Sequence, residues 1–211
     1  MKYNTIVWDW NGTLLDDVYI CMECVNDMLR RRNMKILDLD TYKSYVDTPI
    51  IKAYEHIFDL SVVTFDIIVK EFYESYGRYK ENAHLIKGAE KVLSYFKSQG
   101  CRQSIITAAN TQTVQRQLED FGISVYFDNV LGASDFQGGS KLDRATMYAH
   151  CTHKSQDRIL AIGDTTHDSE MADAIGADCI LFSGGHQDRM RLENTGRPVV
   201  NSLMEIPTLI G

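Results

Sequence analysis

A chain of 211 residues with 44% hydrophobic side chains can bury one sizeable core, or one core carrying a smaller insert. Charged residues at 24% exclude disorder by composition, and a formal net charge of −7 argues against non-specific nucleic-acid binding. Five scattered cysteines, the lack of a basic segment followed by an apolar stretch, and no apolar run long enough for a bilayer together predict a soluble protein of the reducing cytoplasm, with no membrane partner.

From the N-terminus, Tyr3, Thr5, Ile6, Val7 and Trp8 predict a buried strand, because β-branched and aromatic side chains pack well on a pleated surface. Asn11-Gly12 breaks it into a turn, which leaves Asp9 at the C-terminal tip. In an open parallel sheet ligands bind beyond such tips, so Asp9 is a candidate for chemistry. The backbone N–H groups of Asn11, Gly12 and Thr13 can curl into an anion-binding concavity beside it. A turn-forming Asp with only local hydrogen bonds is the plainer alternative at this point.

Val18 to Arg32 has helical apolar spacing and a basic end at Arg30-Arg31-Arg32, which suits the helix dipole. Leu39 to Tyr45, Ile50 to Phe58 and Thr64 to Tyr79 predict three more helices, so Asp17–Ile86 reads as helical with no strand. Character changes at Gly88. Helices at 89–98, 111–121, 142–150, 168–175 and 187–194 alternate with strands at 103–107, 129–132, 158–162 and 178–182, and Val199-Val200 and Ser202 to Leu209 close the chain. Such alternation means an α/β fold with right-handed crossovers and a parallel sheet, of which five strands are countable.

Three more strand tips carry polar residues. Thr107-Ala108-Ala109-Asn110 offers a hydroxyl and backbone N–H groups ahead of a helix, a phosphate-friendly geometry, although Thr107 taken alone is more often a helix N-cap. Gln137-Gly138-Gly139-Ser140 delivers Lys141 to the start of a helix, where a cation opposes the dipole and makes best sense beside an anion. Gly163-Asp164-Thr165-Thr166-His167-Asp168 places two carboxylates where a hard divalent cation could use them, or where Asp168 merely caps its helix.

Asp9-x-Asn11-Gly12-Thr13, Thr107, Lys141 and Gly163-Asp164-x-x-x-Asp168, in this order and each at a strand end, resemble the four motifs of the haloacid dehalogenase superfamily. The likeness is nearest to its phosphoglycolate phosphatase-like branch, down to Phe127-Asp128-Asn129-Val130 and the final Ser202-Leu203. The resemblance implies a Rossmann-like core of residues 1–16 and 87–211 around a five-stranded sheet, with residues 17–86 as an inserted helical C1 cap. It also implies a Mg²⁺-dependent phosphomonoester hydrolase of a small phosphorylated metabolite, in which Asp9 forms an aspartyl-phosphate. Mg²⁺ would be held by Asp9, the backbone carbonyl of Asn11 and Asp164, with Asp168 ordering a metal-bound water. Lys141, Thr107 and the N–H groups of Gly12 and Ala108 would orient the phosphoryl oxygens, with Thr13 and Asn110 beside them.

One departure matters: the family's second aspartate, a general acid and base, is here Asn11, and an amide cannot trade that proton. His186, in the loop Ser183-Gly184-Gly185-His186, is the candidate to replace it or to line the substrate site. The same departure keeps open a phosphonate hydrolase, a phosphosugar mutase or a non-turnover phospho-ligand-binding protein. Leu142 stands where relatives carry proline, and Asp47 where they often carry glycine; Asp47 reads as turn-forming. Cys21-x-x-Cys24 reads as a packed pair and His150-Cys151-x-His153 as an ordinary helix end, while His167 faces solvent or caps its helix. Trp8 reads as core and Trp10 as a pocket wall.

Overall fold

The opening strand β1 (Thr5–Trp8) is buried along its whole length because it lies at the centre of the sheet. In the computed structural model, which describes residues 2–134, 141–152 and 158–211, β1 is flanked by β4 (Arg102–Asn110) and β6 (Ile159–Gly163). The register is parallel on both sides, Thr5 pairing with Arg102 and with Ile159. Beyond these lie β5 (Asn129–Ala133) on one edge, and β7 (Asp178–Phe182) with β8 (Val199–Val200) on the other. The sheet therefore has six strands in the order β5-β4-β1-β6-β7-β8 rather than five. Val199-Val200 is too short for an alternating pattern; only its parallel pairing with Leu181 and Phe182 makes it a strand.

Successive strand side chains point to opposite faces, so each strand feeds two cores. Ile6, Trp8, Ile105, Leu160 and Ile162 pack on one face with Leu93 and Phe96 of α5 (Ala89–Ser98) and with Val114 and Leu118 of α6 (Thr111–Asp120). Val7, Ile106, Ala161 and Leu181 pack on the other, with Tyr148 of α7 (Lys141–Thr152) and Met171 of α8 (Thr166–Ala174). Two short helices, α9 (Arg189–Glu193) and α10 (Ile206–Ile210), complete this part. Trp10 is fully buried in the first of these cores, its indole N–H donating to Gln117 Oε1 at 2.9 Å, so it is core and not a pocket wall.

Between β1 and α5 the chain forms α1 (Val18–Arg31), α2 (Leu39–Tyr45), α3 (Ile51–Ile57) and α4 (Phe65–Tyr79), which bury a separate apolar cluster around Val25, Met28, Leu29, Tyr54, Phe58 and Ile68. At the basic end of α1, Arg32 grips Glu71 of α4 with two hydrogen bonds, at 2.7 and 3.0 Å, over the face of Phe58, while Arg30 and Arg31 are exposed. One expectation fails here. β2 (Leu15–Asp16) and β3 (His84–Leu85) pair antiparallel, where the sequence gives no strand signal over Asp17–Ile86. Two-residue strands leave no periodicity to read, yet this pair holds side by side the points where the chain enters and leaves the helical segment. No helix among the described residues is long and apolar enough to cross a membrane.

Candidate active site

The tips of β1, β4 and β6, the start of α7 and the loop after β7 meet at one end of the sheet. Lys141 Nζ bridges Asp9 Oδ1 and Asp168 Oδ1 at 2.5 Å each, and both partners are buried with it. Asp9, Asp164 and Asp168 each present an oxygen within 4.8 Å of the others. The three carboxylates and the lysine thus share one cluster although Asp9 and Lys141 lie 132 positions apart. Asp168 caps its helix, its Oδ2 accepting from the backbone N–H groups of Asp164 and Thr165 at the mouth of α8, and its Oδ1 also holds Lys141, a contact the sequence reading did not include.

Three buried carboxylates against one ammonium are out of balance. Burial, with the charges of Asp168 and Asp164, pushes Asp9 up to about 8, although Lys141 pulls the other way. Burial also raises Asp164, against the opposing pull of His186. Asp168 stays below the usual carboxylate range because Lys141 and Thr165 outweigh its burial, and Lys141 is held well above the ordinary lysine value because Asp168 and Asp9 outweigh its own. An all-oxygen donor set with uncompensated negative charge suits a hard divalent cation.

The turn after β1 is fastened from several sides. Thr13 Oγ1 donates to Asp164 Oδ1 at 2.8 Å, and the Gly12 N–H donates to Asp17 Oδ1 at 3.0 Å and to the Leu15 carbonyl at 2.9 Å. Gly12 has φ +73, and a Cβ there would stand 2.4 Å from both Asp164 Oδ2 and His186 Cδ2, so only glycine fits. The Asn11 amide donates to Asp17 Oδ2 at 2.6 Å. Thr107, buried at the bend in β4, accepts from the Ala109 N–H at 3.1 Å, and Arg144 of α7 holds its carbonyl at 2.8 Å. Thr107 is thus not the cap of α6. Asn110 is, with Oδ1 accepting from the Thr113 N–H at 3.2 Å. Ala108 is exposed at the tip of β4.

His186 is placed differently from the expectation of a free acid or substrate contact. Its Nε2 meets Asp17 Oδ1 at 3.2 Å, its Nδ1 meets the Tyr42 hydroxyl of α2 at 3.1 Å, and its backbone N–H donates to Asp164 Oδ2 at 2.6 Å. Burial disfavours the imidazolium, but Asp17 prevails and pushes His186 up to about 9. Asp17 in turn falls below the carboxylate range, His186 and Asn11 outweighing its burial. The neighbouring contacts repeat the theme. Gln187 Nε2 and Arg191 Nη1 both donate to the Val46 carbonyl, at 3.1 and 2.8 Å, and Arg191 pairs with Asp47 at 3.2 Å. Asp47 is therefore a turn residue in an ion pair.

Asp17, Tyr42, Arg144, Gln187 and Arg191 escaped the sequence reading. Asp17 alone had a signal, as half of Asp16-Asp17, but nothing local says that Asp16 faces solvent and Asp17 turns inward. Gln137, Gly138, Gly139, Ser140 and His153 lie outside the described residues.

A buried carboxylate and lysine cluster at the strand tips lies where open α/β sheets bind their ligands. The family model for haloacid dehalogenase-like hydrolases matches residues 6–182, and the chain belongs to that family. Among curated relatives, the tyrosine-protein kinase PtkA of Mycobacterium tuberculosis is 30% identical over 129 residues, covering 59% of this chain and 43% of the kinase. The chain thus matches less than half the length of that relative. The phosphoglycolate phosphatase of Pseudomonas fluorescens is 25% identical over 97% of this chain and 75% of its own length. Among solved structures, a predicted phosphatase from Clostridium acetobutylicum superposes with a TM-score of 0.83 at 25% identity, covering 99% of this chain and 98% of that one. The M. tuberculosis protein tyrosine kinase A superposes with a TM-score of 0.81 at 20% identity over 99% and 98% of the two chains, a likeness of fold.

Proposed function

We propose that this protein is a phosphomonoester hydrolase of a small phosphorylated metabolite, working through an aspartyl-phosphate on Asp9. The observation that carries the reading is Asp9 held by Lys141 at 2.5 Å, with Asp164 and Asp168 converging on the same point. Lys141 aims Asp9 and offsets part of the burial that raises its carboxyl; once ionised, a carboxylate oxygen attacks phosphorus in line as the bond to the leaving oxygen breaks, and water then cleaves the acyl phosphate. Asp9, Asp164 and the Asn11 carbonyl would hold Mg²⁺, with Asp168 behind them, and the ion when bound would neutralise the phosphoryl oxygens. Thr13 fixes Asp164, and Thr107 with the Ala108 N–H would orient the transferring group. A cytoplasmic location remains part of the proposal.

With Asn11 hydrogen-bonded to Asp17 and both ring nitrogens of His186 engaged, no side chain named above stands ready to protonate the leaving group. The proposal therefore favours substrates whose leaving group departs without a proton. Hydrolysis of p-nitrophenyl phosphate with and without Mg²⁺ is the test: turnover should require the metal and vanish in Asp9→Ala, and metal-independent turnover, or turnover surviving that change, refutes the reading. The likeness to PtkA favours a second reading, in which Asp9 passes the phosphoryl group to a tyrosine hydroxyl instead of water. ATP-dependent labelling of tyrosine in a protein substrate, without release of phosphate from p-nitrophenyl phosphate, would select it.

A further inference from the structure

A second group of metal-ligating side chains converges beside the strand-tip carboxylates: Asp17, Cys21 and His186, each with a ligand atom within 4.8 Å of the others. We propose that these three residues form a second cation site, taking a borderline-soft divalent ion of the zinc type. The donor set is oxygen, sulfur and nitrogen, whereas the strand-tip cluster is oxygen alone, so the two sites select different ions.

Two of the three spacings are those of a zinc shell, each to a different oxygen of Asp17, and the third, Cys21 to His186, lies within 4.8 Å. His186 Nε2 lies 3.2 Å from Asp17 Oδ1, and Cys21 Sγ lies 3.4 Å from Asp17 Oδ2. Zinc bonds of about 2.0–2.1 Å to nitrogen or oxygen and about 2.3 Å to sulfur give a tetrahedron with edges of roughly 3.3–3.6 Å. Asp17 at the N-cap of α1 and Cys21 four residues on share one face of that helix, and the loop after β7 brings His186 against them. Cys24, one position short of the next turn, is fully buried but outside the group. Cys21 is thus not simply half of a packed pair.

The supporting contacts have the form that metal histidines use. Tyr42 takes His186 Nδ1 at 3.1 Å, which turns Nε2 toward Asp17 and Cys21, and Asn11 and Gly12 donate to the Asp17 carboxylate at 2.6 and 3.0 Å. On coordination the thiol enters as thiolate and its proton passes to the buffer, with water completing the shell. Because Asp17 and Cys21 open the first helix of the inserted segment and His186 sits in the loop after β7, an ion there ties that segment to the edge of the sheet.

Cobalt(II) reports the site directly, because a cobalt–thiolate bond adds a charge-transfer band in the near ultraviolet that carboxylates do not produce. The band should develop with one equivalent in the whole chain and bleach when Zn²⁺ is added, but persist under excess Mg²⁺. It should survive in Asp164→Asn, which removes a strand-tip carboxylate, and in Cys24→Ala, and be lost in Cys21→Ser and in His186→Ala. Zn²⁺ should raise the melting temperature of the wild type by several degrees and leave that of Cys21→Ser unmoved, with circular dichroism verifying that each variant is folded. No band in the wild type, a band unchanged in folded Cys21→Ser, or a band lost only in Cys24→Ala overturns the proposal. Since neither readout uses turnover, its failure is separable from failure of the phosphatase reading.

Discussion

Asp9 rests in a conflict between stability and reactivity: burial and two neighbouring carboxylates push it up to about 8 even with Lys141 in contact. A folded-state value raised above the ordinary 3.8 means that Asp9 favours folding below about pH 4, and that this contribution is lost as pH rises through 8. In a chelating buffer the wild type should therefore melt at progressively lower temperature over that range, while Asp9→Asn, isosteric and uncharged, should show a flatter profile and the higher melting point above pH 8. Turnover should fall on the order of 10⁴-fold or more in the same variant, since the amide cannot attack phosphorus. A stabilised but inactive Asp9→Asn is the signature of a residue kept for chemistry. Asn11 is the converse case, a residue whose side chain has been moved out of proton transfer. In Asn11→Asp the new carboxyl would lie against Asp17, where like charge keeps it protonated and able to act as an acid. Turnover of alkyl phosphates should rise roughly 10²-fold, the lower range of general-acid catalysis. An unchanged rate on alkyl phosphates, with p-nitrophenyl phosphate as reference, would show that the leaving group already receives its proton elsewhere.

At the scale of elements, the segment Gln187–Arg191 works as a latch on the loop after α2. Gln187 is almost wholly buried, and its one amide serves two elements: Nε2 donates to the Val46 carbonyl at 3.1 Å and Oε1 accepts from the Thr166 N–H at the start of α8 at 2.8 Å. Truncation to alanine leaves Thr166 N–H without that acceptor, at a cost of about 1–3 kcal/mol for a buried group. Gln187→Ala should thus lower the denaturation midpoint by that amount, and raise KM more than it lowers kcat if the latch helps the helical segment to settle over bound substrate. Equal KM in variant and wild type would limit the latch to stability. None of this was visible in the sequence, where 187–194 reads as one more helix. The elements that were legible are those with long periodic signals, α2 and α5 to the residue, or strong breakers, Gly100, Gly122 and Gly176 after their helices. Those that were not are two-residue strands and polar contacts between loops far apart in sequence, which leave no period. The same split holds at the site: the convergence of Asp9, Lys141, Asp164 and Asp168 was readable because each ends a strand or begins a helix. The contacts of His186 with Asp17 and Tyr42 were not readable because they are matters of tertiary placement.

Across the whole molecule, the contact that joins sheet to helical segment at the active site runs through His186, which meets Asp17 across 169 positions of chain and Tyr42 across 144. Asp17 pushes the imidazole up from 6.5 to about 9, and the ring is almost fully buried, so the pair is a charged clasp at neutral pH. A shift of that size corresponds to about 3 kcal/mol. The sign follows from linkage: a value raised on folding gives stability that is complete below pH 6.5 and disappears as pH climbs through 9. Asp17, lowered on folding, adds the opposite limb, present above 3.8 and lost as pH falls through its depressed value. Asp9 also destabilises the chain as pH rises, so the wild-type melting curve alone does not isolate the clasp. The difference between wild type and His186→Gln does, since Asp9 is common to both. In metal-free buffer that difference should be largest from about pH 5 to 6.5 and should shrink steadily toward pH 9.5. The remainder at high pH measures the neutral hydrogen bonds. A difference that is flat or grows over this interval would mean that the imidazole is neutral in the folded chain, and that the helical segment is held over the sheet by packing and by the Gln187–Arg191 contacts alone.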